Sequence, residues 1–118
     1  MAVKSEHRLD DHFLGKAETV KKTYDRIVQS MKKIGPVSEE VKKTSIHLVR
    51  KSAFAGVATR RDALILTVKS PTDLKSPRII KHEQASAHRW HLEVRLNVPA
   101  DVDREVLGWL KDSYEMSG

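Results

Sequence analysis

The 118-residue chain has no cysteine, which excludes a disulfide framework, a thiolate metal site and a thiol nucleophile. That usage suits a reducing compartment, and the expectation is a cytoplasmic protein. Aromatic residues are scarce, with two Phe, two Tyr and two Trp. Most of them fall at positions that fit a core, so they do not supply the stacking platform on which single-stranded nucleic acid is held. The five glycines are scattered and form no phosphate-cradling loop. No apolar run approaches the roughly 20 residues that span a bilayer, and MAVKSEHRLDD at the start has no apolar signal region. No membrane partner is expected.

What is present fits a globular protein: 39% hydrophobic and 32% charged residues are compatible with a folded core. The length suits one domain. The expectation is a single domain over 1–118, with an ordered core from about 12 to 115 and a flexible N-terminus over 1–11. The net charge of +6 is unevenly placed. Residues 42–95 hold twelve Lys/Arg against four Asp/Glu, a net of +8, which leaves −2 for the flanks.

Val20, Tyr24, Ile27, Met31 and Ile34 recur at steps of four and three, the stripe of an amphipathic helix. Gly35 and Pro36 supply its stop, with Gly35 suited to a left-handed position after the helix. From Val41 the pattern alternates. SIHLVR (45–50), FAGVAT (54–59) and ALILTVK (63–69) read as strands, the last apolar on both faces and so central. The small residues of FAGVAT mark a place where neighbouring elements approach closely. SPTDLKSP (70–77) is a loop. In HRWHLEVRL (88–96), Trp90, Leu92, Val94 and Leu96 take one face and Arg89, His91, Glu93 and Arg95 the other. Val102, Val106, Leu107, Leu110 and Tyr114 mark a last helix, in which Gly108 suggests close packing. Connections this short require antiparallel neighbours. The fold class is therefore α+β: a mostly antiparallel sheet of about four to five strands, with an N-terminal and a C-terminal helix packed on one face.

The residues that invite a functional reading are basic: Arg50, Lys51, Arg60, Arg61, Arg89, His91 and Arg95. On strands and turns they either form a surface that neutralises phosphates and releases counterions, or solvate a sheet face. The expected partner is nucleic acid or another polyanion, or an acidic protein. Arg50 and Lys51 stand at one end of FAGVAT and Arg60 and Arg61 at the other, which implies a track rather than one pocket. A protein-interaction or dimerisation module is the alternative, although a homo-oligomer is not itself predicted. A small-molecule or enzyme pocket near Lys43, Thr44, His47 and His91 is a further one.

No catalytic residue, metal site or cofactor is assigned. His88 and His91 fall on opposite faces of a strand, and His82 with Glu83 reads as loop. Glu93 is expected to pair on the surface with His91 and Arg95 rather than to act as a base. The chain thus reads as a non-enzymatic binding or accessory domain.

Taken together, HFLGK, TYDRIVQSMKKIGP, KTSIHLVRKSAFAGVATRRDALILTV, SPRI, HRWHLEVRL and DREVLGWLKDSY resemble the bacterial domain of unknown function 5655, from about His12 to Tyr114. The matching features are Lys43 and Thr44 before the first strand, the basic pair beside Phe54 and Ala55, Val57, SPR at 76–78, and His91 followed by Val94 and Leu96. The resemblance implies a small α+β domain without an established activity, found alone or fused behind restriction-endonuclease-like domains. Such a fusion implies proximity to nucleic acid by association. The family tends to be arginine-rich after the first strand, where this chain has Arg50 and Lys51.

Overall fold

The structure is a computed structural model and describes residues 8–118. Most of the segment expected to be a flexible N-terminus therefore lies outside the described residues. Where the description begins, Leu9–Phe13 form a 3-10 helix, and Phe13 packs against the Tyr24 ring with centroids 5.4 Å apart.

The first apolar stripe forms α1 (Glu18–Lys32), and Val20, Tyr24, Ile27 and Met31 are buried. The helix stops ahead of Gly35 and Pro36, but Gly35 is not left-handed. Among the described residues only Gly15 has that conformation, with φ 70°. Gly35 is required by packing instead: a Cβ there would overlap the Tyr114 hydroxyl and stand 3.2 Å from Cζ. Tyr114 rests on that bare backbone, donates to the Pro36 carbonyl at 2.9 Å and meets Phe54 edge to face.

Six strands follow rather than four or five: β1 (Ser38–Val41), β2 (Ile46–Val49), β3 (Ala53–Thr59), β4 (Leu64–Ser70), β5 (Ile79–Ser86) and β6 (Arg89–Leu96). They lie in the order β1-β2-β3-β4-β6-β5, and every neighbouring pair is antiparallel. The strands that the apolar pattern misses are the two edges. SEEV is exposed up to Val41, and IIKHEQAS buries Ile79 alone. With no buried alternation, backbone bonding to a single neighbour makes them strands. His82 and Glu83 accordingly sit on β5 and not in a loop. β4, apolar on both faces, is interior as its composition requires.

Register separates the sheet residues into two sets. Ile46, Leu48, Ala55, Val57, Leu66, Val68, Leu92 and Val94 pair across the strands and are buried. The alternate set, His47, Gly56, Thr67 and Glu93, also aligns strand to strand but keeps solvent access. The buried set forms one core with the stripes of α1 and of α2 (Arg104–Met116), the latter supplying Val106, Leu110 and Tyr114.

Asp103 caps α2 by accepting from the Val106 amide at 3.1 Å. Its carboxylate also binds Arg78 Nη1 at 2.9 Å, and Arg78 Nη2 donates to the Asp101 carbonyl at 2.7 Å. The arginine of the SPR motif thus fastens the start of β5 to the start of α2. Ser113 is inserted where the β3–β4 ladder ends. Its hydroxyl donates to the Phe54 carbonyl and accepts from the Lys69 amide at 3.0 Å.

Candidate binding surface

The seven basic candidates divide by sheet end. At one end stand Arg50 and Lys51, in the turn between β2 and β3, with Arg89 and His91 at the start of β6. At the other stand Arg60 and Arg61, in the turn between β3 and β4, with Arg95 near the end of β6. The seven residues of β3 separate the two groups by roughly 20 Å at ~3.3 Å per residue.

Three of the seven already meet an aromatic ring or a carboxylate. Arg50 stacks its guanidinium 4.5 Å from the Tyr114 ring centroid and donates to the Tyr114 carbonyl at 3.1 Å, which satisfies an acceptor at the end of α2. Arg95 pairs with Asp62 at 3.3 Å, and His91 lies 3.8 Å from Glu83. Glu93 takes neither expected partner and pairs with Lys81 at 3.9 Å. Side chains facing each other across neighbouring strands lie closer than those two residues apart along one strand, so cross-strand partners win. Lys51, Arg60, Arg61 and Arg89 are exposed and, among the described residues, have no carboxylate partner.

Between the two basic ends, the solvent-accessible side of the sheet sinks into a hollow of about 310 Å³. Gly56 and Ala58 leave its floor low, and Ser45, His47, Thr67, Lys69 and His91 stand around it. Ala55 faces the core shared with the helices, whereas Gly56 and Ala58 open onto the hollow. A Cβ at Gly56 would meet only Thr67, at 3.7 Å. Two of the four residues considered for a pocket, His47 and His91, do line this hollow. Lys43 lies elsewhere, beside His12 and Arg8.

Lys69 belongs to this surface and was not singled out by sequence. Burial, and then the charge of Arg89, holds its amine below the usual lysine range. It donates to Ser117 Oγ at 3.1 Å and, among the described residues, has no carboxylate partner. Its signal was a lysine on the alternating face of a central apolar strand, opposite His91. Among the described residues no three His, Asp or Glu side chains gather as metal ligands, and no helix is long and apolar enough to cross a membrane.

No curated protein and no solved structure matches the chain. The family described as "Domain of unknown function (DUF5655)" matches residues 9–117, which includes both helices and all six strands. With its sequence matched over nearly the whole length, this chain belongs to the DUF5655 family.

Proposed function

We propose that this chain is a non-catalytic binding module for a polyanion, nucleic acid first. In this reading the two helices cover one face of the sheet, as their shared core with the buried strand set suggests, and the partner tracks across the other face. The observation that carries the reading is that Lys51 and Arg89 at one end, and Arg60 and Arg61 at the other, are exposed cations without carboxylate partners among the described residues. Such cations gain most from replacing counterions at phosphates. Spacing over roughly 20 Å suits a backbone-tracking contact better than a single phosphate pocket. Neither these cations nor their turns supply a paired acid and base, which is why the reading is binding and not catalysis.

The test is charge reversal at each end, Lys51→Glu with Arg89→Glu and Arg60→Glu with Arg61→Glu, read by the anisotropy of labelled DNA and RNA. Each pair is expected to weaken binding about tenfold or more while thermal melting stays near the parent value. Binding that is unchanged in both pairs would remove these cations as the contact surface.

A further inference from the structure

The hollow between the basic ends has a chemistry of its own. Glycine inside a strand is destabilising relative to alanine, and at Gly56 neither conformation nor packing calls for it. Its φ lies outside the left-handed range, and an added Cβ would make only an ordinary contact with Thr67. What Gly56 does accomplish, together with Ala58, is to keep open a depression of about 310 Å³ in the middle of the sheet. That volume is at the small end of ligand sites, which combine an apolar bed with a few polar groups.

The polar groups around it can each donate a hydrogen bond. His47 and Thr67 flank Gly56 on the neighbouring strands, and Lys69 and His91 face each other one row along. The nearby carboxylates each have a side-chain partner: Glu40 lies 3.5 Å from Lys42, Glu83 lies 3.8 Å from His91 and Glu93 lies 3.9 Å from Lys81. Lys69, beside Arg89, has no carboxylate partner among the described residues. A half-buried amine next to a second cation lacks a counter-charge, and an anion bound in the hollow would supply it.

From the Gly56/Ala58 floor, the His47, Thr67 and His91 rim and Lys69, which meets Ser117 Oγ but no carboxylate among the described residues, we infer that this hollow binds a small organic anion with a compact apolar body. The body rests on the floor in place of the missing side chains, and the anionic group meets Lys69. The shared chemistry covers carboxylates and phosphate esters, which the experiment separates.

The test is titration of the ¹⁵N-labelled protein with benzoate, phenyl phosphate, benzyl alcohol and inorganic phosphate, followed by amide shifts. Benzoate or phenyl phosphate, or both, is expected to give saturable shifts at Gly56, Ala58, Thr67 and Lys69, and whichever binds names the anionic group. Benzyl alcohol, which lacks the charge, and inorganic phosphate, which lacks the body, are expected to bind at least about tenfold more weakly. Gly56→Val, which fills the hollow, is expected to abolish the shifts. Lys69→Gln is expected to weaken binding about tenfold or more, with the rest of the spectrum retained in both variants. Absence of saturable shifts at the hollow with both aromatic anions, or inorganic phosphate binding as well as phenyl phosphate, would overturn the inference. Equal binding by a folded Gly56→Val protein would overturn it too. The polyanion reading is tested with other probes and other residues, so the failure of either proposal is distinguishable from failure of the other.

Discussion

Gly108 stands inside α2 with nothing within 4 Å of where its Cβ would be. A helical glycine suggests a partner pressed against it, yet here it lies on an exposed strip beside Leu107 and between Arg104 and Lys111. Gly108→Ala is therefore expected to stabilise the protein by about 0.5–1 kcal/mol. Thermal melting checks this, and a lowered midpoint would contradict it. Asp103 gives a second residue-level expectation. Arg78 first, and the Val106 amide next, hold its carboxyl below the ordinary value. A depressed carboxylate contributes stability above its unfolded value of ~3.9 and loses that contribution as pH falls through the folded value. Melting curves of the parent and of Asp103→Asn are expected to differ at neutral pH and to converge in strong acid. A difference that persists in strong acid would show that the carboxylate charge is not what matters.

At the scale of elements, one buried hydroxyl ties α2 to the end of the β3–β4 ladder, beside the apolar stripe that packs the helix on the core. Ser113 is fully buried and serves both the Phe54 carbonyl and the Lys69 amide where the β3–β4 ladder ends. Ser113→Ala leaves both backbone groups without this partner and is expected to destabilise by about 1–3 kcal/mol, read by denaturant unfolding. A change under about 0.5 kcal/mol would mean that water replaces the hydroxyl. The elements that were legible in the sequence are those with buried periodicity: α1, α2 and β2, β3, β4 and β6, whose inward residues alternate or recur at helical spacing. β1 and β5 were not, because an exposed edge strand has no apolar pattern to read. Gly35 was read correctly as a stop and for the wrong reason. Its constraint comes from Tyr114, which sequence places far away and folding brings against it. The candidate site was half legible in the same way. The cations could be seen, but not that Arg50 is tied to Tyr114 or Arg95 to Asp62. Lys69 and Gly56 gain meaning only once register sets them around one hollow.

At the scale of the molecule, a net charge of +6 acts through its placement. The excess lies on the sheet turns, while α1 forms its own i,i+4 pairs, Lys21 with Asp25 and Lys22 with Glu18. Those helix cations are partly neutralised within their own element, whereas Lys51, Arg60 and Arg61 in the turns and Arg89 at the start of β6 are not. In the proposed function these cations at the sheet ends meet a polyanion, and binding of that kind is sensitive to salt. Anisotropy of labelled duplex DNA, single-stranded DNA and RNA at about 50 and 200 mM salt is expected to show binding that falls at least tenfold at the higher concentration. No binding to any of the three at about 50 mM salt, where nonspecific electrostatic attraction is strong, would contradict the claim.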